Sequence, residues 1–112
     1  MSRKFKRGEV YWGELDPVRG AEIAKTRPCV IISSTALNAI RKTVVIVPLT
    51  TTPSPPNWPL VLNVHSISPT SKARIEQLRG VDKSKLGKYM ADLSDEDMEA
   101  IDVALKKVLV LG

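Results

Sequence analysis

A chain of 112 residues has room for one domain, taken as 1–112, and its single cysteine cannot form an internal disulfide. Its 17 basic and 12 acidic side chains leave a formal net charge of +5, which favours an anionic partner, nucleic acid being the commonest. No stretch is long and apolar enough to span a bilayer, and no apolar run follows the basic Met1–Arg7 segment, so neither a membrane anchor nor a secretory signal is expected and the cytoplasm is the expected compartment.

Val10 to Leu15 reads as a first strand, with Trp12 expected in the core. Asp16 to Thr26, carrying Pro17, Gly20 and several charges, is too polar for a core strand and long enough for a functional loop. Pro28 to Ser33 and Thr43 to Leu49 are β-branched, mostly apolar runs that suit buried strands, and Cys29 within the first is expected as a small core residue. Between them Thr35 to Ile40 predicts one or two helical turns capped by Ser34 or Thr35. Four prolines between Thr50 and Pro59 forbid a central strand and mark a second loop. Leu60 to Val64, Ser71 to Ile75 and Lys88 to Leu93 are further strands.

The last element is a helix. Ser94 and Asp97 have capping-box spacing, and Asp95, Glu96 and Asp97 place negative charge at the positive end of the helix dipole. Met98, Ile101, Leu105, Val108 and Leu109 recur at helical spacing, with Lys106 and Lys107 near the other end. Successive strands followed by one amphipathic helix predict an α+β fold, a small and strongly bent antiparallel sheet with a C-terminal helix packed on it.

Residues with chemical potential gather at strand ends. Pro28 biases Arg27 toward an extended backbone where a strand begins. Thr50 follows the strand ending at Leu49 and offers a hydroxyl to a phosphate oxygen, although the Thr51-Thr52-Pro53 segment after it is equally turn chemistry. If Arg74-Ile75-Glu76 is extended, Arg74 and Glu76 project side by side while Ile75 faces the core, an arrangement that alone is an ordinary surface ion pair. The single His65 lies at a strand end among polar residues and reads as a solvated loop histidine. One Cys and one His make no zinc set, and the acidic group at Asp95–Asp97 is explained by helix capping, so no metal or other cofactor is expected.

In order and spacing, the Arg27-Pro28 apolar run, the Pro48-Leu49-Thr50 strand end, the Arg74-Ile75-Glu76-Gln77 segment and the opening Gly8-Glu9-Val10-Tyr11-Trp12-Gly13-Glu14-Leu15-Asp16-Pro17 resemble the MazF/PemK family of toxin endoribonucleases. The resemblance runs from about Gly8 to the last helix. It implies an SH3-like barrel with helices, shared with the gyrase poison CcdB. It also implies metal-independent, sequence-preferring cleavage of single-stranded RNA that inhibits translation and growth.

Active-site roles fall by this resemblance on Arg27 and Thr50, with Glu22 as a supporting acid. In the PemK and Kid branch they fall also on Arg74 and Glu76, where this chain has Glu in place of that branch's Asp. In such cleavage the ribose 2′-OH attacks the adjacent phosphorus. A base takes its proton, fixed cations neutralise the non-bridging oxygens, and the departing 5′ oxygen is protonated, leaving a 2′,3′-cyclic phosphate and a 5′-OH end. The planar fork of arginine suits the charge role and its high pKa does not suit proton donation, so Arg27 and Arg74 are assigned to electrostatics and either Glu22 or Glu76 to the base.

Tyr11, Trp12 and Trp58 are the aromatics that could stack on unpaired bases, with a core role favoured for Trp12 and Trp58 lying in a polar loop. Gln77, Lys25, Lys72 and Arg79 are further candidates for RNA contacts, with Lys83 and Lys85 as additional basic residues. Family partners are a second copy in a homodimer and a cognate acidic antitoxin with a disordered tail. Two other readings remain: a non-catalytic RNA-binding SH3-like module, and a CcdB-like gyrase inhibitor. The second is disfavoured because the chain ends Val110-Leu111-Gly112 rather than Trp-Gly-Ile.

Overall fold

The computed structural model describes residues 4–15, 26–52 and 57–112. Among them β1 (Glu9–Glu14), β2 (Thr26–Ile31), β3 (Thr43–Thr50), β4 (Val61–Asn63), β5 (Lys72–Arg74), β6 (Arg79–Asp82) and β7 (Leu86–Asp92) form an antiparallel sheet. Helix α1 (Thr35–Ile40) links β2 to β3, and α2 (Asp95–Leu109) follows β7. The expected loop from Asp16 to Thr26 lies outside the described residues except for its last residue, as does 53–56 of the proline-rich loop.

The strands lie in the order β4-β5-β3-β2-β1-β7, with β6 also on β3. This is the bent antiparallel α+β arrangement expected, but the barrel is not closed: β4 and β7 end the sheet and do not pair with each other. The sheet forks at β3 instead of rolling into a ring. On the edge of β3 away from β2, β6 pairs with residues Thr43 to Ile46, and β5 pairs with Leu49 and Thr50. Pro48 sits at the fork. The Val45 carbonyl accepts from Ile32 N across the β2 side, so, by alternation, Pro48 aims its backbone nitrogen at the other edge, between the start of β6 and the end of β5. A proline there removes no ladder bond, which is why β3 tolerates one in its interior.

Strands β1 to β3 are covered on both faces, the reason they read as nearly continuous apolar runs. Val10, Val30, Val47, Leu49, Ala73 and Ile75 pack on one face with Ile101 and Ala104 of α2. Phe5, Tyr11, Cys29, Ile31, Val44, Ile46 and Val81 pack on the other. The expected core role for Trp12 is corrected: Tyr11 is 2% exposed, whereas Trp12 is 37% exposed. Trp12 shares the face of Val10 by strand alternation but is not part of the cluster that Val10 forms with Ile101 and Ala104.

Local chemistry explains both helices. Ser34 Oγ accepts from Leu37 N at 3.1 Å and caps α1, and buried Asn38 donates to the carbonyls of Phe5 and Ser33 while accepting from Ser33 Oγ. That polar anchor holds α1 although Leu37 and Ile40 remain exposed. In α2, Ser94 Oγ accepts from Asp97 N at 3.1 Å, but the reciprocal half of the capping box is replaced. The short Asp97 side chain accepts instead from Ser66 N and Oγ, and Ser66 Oγ accepts from Ser94 N. The helix start is thereby tied to the turn after β4.

Two further differences concern the segment after β5. Residues Ile75–Gln77 form a 3-10 turn rather than continuing the strand. Arg74 and Glu76 still meet, at 3.4 Å, and Ile75 is still buried, because one tight turn brings residues two apart into reach. Strand β6, which no apolar run announced, is short and buries only Val81.

Gly13 is the most tightly packed of the described glycines. A Cβ there would lie 2.8 Å from Cys29 Sγ and 3.1 Å from Leu86 Cδ2. Gly13→Ala is expected to lower unfolding free energy by about 1–3 kcal/mol through overpacking, read as a shifted urea midpoint. An unchanged midpoint would show that Cys29 and Leu86 yield without strain.

Candidate active site

Strand register brings the predicted residues together. Cys29 lies opposite Pro48 and Val30 opposite Val47; continuing that register two residues sets Arg27 across from Thr50. Between β3 and β5, Leu49 faces Ala73 and Thr50 faces Lys72, so the next step sets Arg74 beside Pro48. Between β3 and β6, Ile46 faces Arg79. Because side chains alternate along a strand, Ile46, Pro48 and Thr50 share one face with Arg27, Arg74 and Arg79.

The product is a cavity of about 190 Å³ lined by Leu15, Arg27, Pro48, Leu49, Arg74, Gln77 and Arg79. It adjoins, at Arg27 and Leu49, an open groove of about 390 Å³ over the strand ends, lined also by Thr26, Pro28, Thr50, Thr51 and Thr52. Three guanidiniums around one small cavity form a local positive field suited to a phosphate group, and each can offer a pair of parallel N–H donors. Arg74 carries the carboxylate of Glu76 at 3.4 Å, with both side chains about a third exposed. That bond is long and partly solvated, so an arriving phosphate competes with it readily.

Thr50 is half-buried and makes the turn contacts expected of it. Its hydroxyl accepts from Thr52 N at 3.1 Å and donates to Thr52 Oγ1 at 3.0 Å. The turn bond holds the oxygen in place, and the hydroxyl hydrogen can rotate toward a ligand in the groove.

Of the other predicted residues, Gln77 and Arg79 line the cationic cavity. Lys72 lies across from Thr50 but is only 8% exposed, so it belongs to no open basic surface. Trp58 is exposed in the turn before β4 and lines none of these cavities. Lys83 donates to the Asn38 carbonyl and lies 5.9 Å from the Phe5 ring, a structural anchor, while Lys85 lines, with Asp82 and Glu14, a depression that meets the cationic cavity at Leu15 and Arg79. His65 is an exposed turn residue. Glu22 and Lys25 lie outside the described residues. Among the described residues no three His, Cys, Asp or Glu side chains gather as a metal-binding group.

Cys29 is fully buried beneath the cavity and donates to the Arg27 carbonyl at 3.2 Å. Burial pushes its thiol up to about 12, against a smaller opposing pull from the Arg79 guanidinium. It is a packing residue under the site rather than a nucleophile.

A family model described as the PemK-like, MazF-like toxin of type II toxin–antitoxin systems matches residues 6–109. The chain belongs to this family. Endoribonuclease EndoA of Bacillus subtilis (strain 168) is 30% identical over 110 residues, 95% of each chain. A solved mycobacterial endoribonuclease in complex with its cognate antitoxin is 29% identical, with a TM-score of 0.78 over 96% of each chain. A MazE–MazF structure from Deinococcus radiodurans, 18% identical, superposes with a TM-score of 0.82 over 99% of this chain and 100% of the other, a likeness of fold. In this toxin-family chain no helix among the described residues is long and apolar enough to cross a membrane.

The thiol yields a test of this packing. Because the folded-state value lies above the ordinary 9.0, native Cys29 stays protonated at pH 8.5 and is expected to resist iodoacetamide for hours, while urea-unfolded chain reacts within minutes. The same shift contributes stability below pH about 9 that is lost as pH rises toward 12. Equal alkylation rates in native and unfolded chain would contradict the buried assignment.

Proposed function

We propose that this chain is the endoribonuclease toxin of a type II toxin–antitoxin pair, a single domain acting in the cytoplasm as a homodimer without a metal. The observation that carries this reading is the convergence of Arg27, Arg74 and Arg79 around one cavity, with the Thr50 hydroxyl at its rim. In the step assigned to it, the 2′-oxygen bonds to phosphorus and the P–O5′ bond breaks. A base takes the 2′ proton, and the 5′ oxygen acquires one to leave as 5′-OH.

Arg27 and Arg74 hold the non-bridging oxygens as negative charge grows on them, and Thr50 donates to one of them. Arg79 adds long-range positive potential, and Gln77 binds RNA beside it. Glu76, bonded to Arg74, and Glu22 are the two candidates for the base. The positive cleft equally suits an acidic disordered antitoxin tail, which would occupy the RNA's place. The mycobacterial relative solved with its cognate antitoxin supports that partner class.

The purified chain is expected to cut long single-stranded RNA in excess EDTA at discrete positions with 5′-OH ends. Arg27→Ala and Thr50→Ala are each expected to lower the rate on the order of 10²–10³-fold, the usual effect of removing one preorganised donor. No cutting by folded wild type on several RNAs would favour a non-catalytic binder, with Arg27→Ala then weakening RNA binding alone. Glu76→Gln and Glu22→Gln separate the two bases. The variant that loses the acidic limb of the pH–rate profile identifies the proton acceptor, and retention of that limb in both variants excludes both.

A further inference from the structure

Next to the cationic cavity lies a second depression that the proposed chemistry leaves unused. It has a volume of about 360 Å³ and is lined by Trp12, Pro28, Leu49, Thr50, Thr51, Ile67, Ser68, Ser71 and Met90. Pro28, Leu49, Thr50 and Thr51 also line the groove that contains Arg27. The two depressions therefore meet over the same strand ends. Arg27 points to one face, and Pro28, the next residue, points to the other beside Trp12, its cross-strand partner.

The walls of this depression are unusual for a soluble surface. Trp12 and Met90 are 37% and 38% exposed, two large apolar side chains side by side at the open end of the sheet. Met90 is there because β7 carries an extra residue. Val10 pairs with Ala91 and Tyr11 with Tyr89, leaving Met90 as the bulged residue, and such a bulge re-aims its side chain. At the inner end Ser71 is 4% exposed, and its hydroxyl shares a 2.8 Å bond with Ser68, so apolar walls end on groups that can donate or accept.

We infer that this depression receives one unpaired nucleobase of the RNA next to the phosphate at Arg27, with Trp12 and Met90 gripping the base and the Ser68–Ser71 hydroxyls meeting its polar edge. This rests on the endoribonuclease reading and deepens it: Trp12 and Met90 become specificity-determining residues. A base is favoured over an apolar peptide side chain by continuity with the cationic groove, since one nucleotide presents a charged phosphate and a flat apolar face a short covalent distance apart. Stacking on an aromatic side chain is sequence-tolerant, and hydroxyls at the base edge add discrimination.

The test uses a pool of RNAs randomised around every position, cut by wild type, Trp12→Ala, Trp12→Phe and Met90→Ala, with cut ends sequenced and folding checked by circular dichroism. Trp12→Ala and Met90→Ala are expected to flatten the base preference at a single position flanking the cut and to raise KM on the order of tenfold. Trp12→Phe is expected to keep the preference. Met90, exposed on a bulge, gives a variant that folds even where Trp12→Ala does not. If wild type cuts the pool and both alanine variants keep its full preference profile, the base pocket is wrong while the endoribonuclease reading stands. If those variants keep the profile but shift the self-association seen by sedimentation, the patch is a protein interface. If wild type cuts nothing, both readings fall together.

Discussion

Everything at this site depends on the double service of strand β3. Its edge toward β2 is one continuous ladder, while its other edge is divided between β6 and β5, with Pro48 at the division. A strand that must satisfy partners on both edges has little freedom to slip, because a one-residue shift would turn both buried faces inside out. The same registers that fill the two cores therefore fix which residues flank Thr50. Arg27, Arg74 and Arg79 arrive from three different strands, and each is placed by its pairing with β3 rather than by any contact among the arginines themselves.

This arrangement runs against local electrostatics. Three like charges around a cavity of about 190 Å³ repel one another, and only Glu76 supplies a carboxylate within salt-bridge reach of that cluster among the described residues. The strain is tolerable because Arg27 and Arg79 are exposed, where water screens them, and because the apolar packing underneath does not depend on their positions. Cys29 and Ile46 seal the floor of the site. A cleft built in this way is preorganised for an anion: the cost of gathering the cations is met during folding by the two cores, so binding need not bring them together.

Much of the frame was legible in the chain because it rests on strong periodic signals. Val44 to Val47 and Val30 to Ile32 announce strands buried on both faces, and Ser94 with Met98, Ile101 and Leu105 announces the last helix. What was illegible depends on geometry that no residue type encodes. Trp12 has the composition of a core residue, yet it is not part of the cluster that Val10, Val30, Ile101 and Ala104 form and remains partly exposed. Strand β6 has one buried side chain and exists because β3 has an unfilled edge. The turn at Ile75–Gln77 breaks a strand-like run, yet it preserves the Arg74–Glu76 contact that the strand reading required, so the right neighbours came from the wrong backbone. Lys72 looked like a surface cation, but its cross-strand position beside Thr50 buries most of it.

The pairing of Arg27 with Pro28 shows how little sequence is needed to give one strand end two chemistries. Proline holds the junction extended, so consecutive side chains take opposite faces of the sheet. One face meets the guanidiniums of β5 and the β6 edge; the other meets Trp12 and the bulged Met90. A nucleotide has the same division, an anionic phosphate joined to a flat and largely apolar base. A surface that is cationic on one side of a strand end and apolar on the other matches that division at the scale of one nucleotide, with the Thr50 hydroxyl on the line between them. Arg27 serves only the cationic side and Trp12 and Met90 only the apolar one, while Pro28, Leu49, Thr50 and Thr51 line both and couple them.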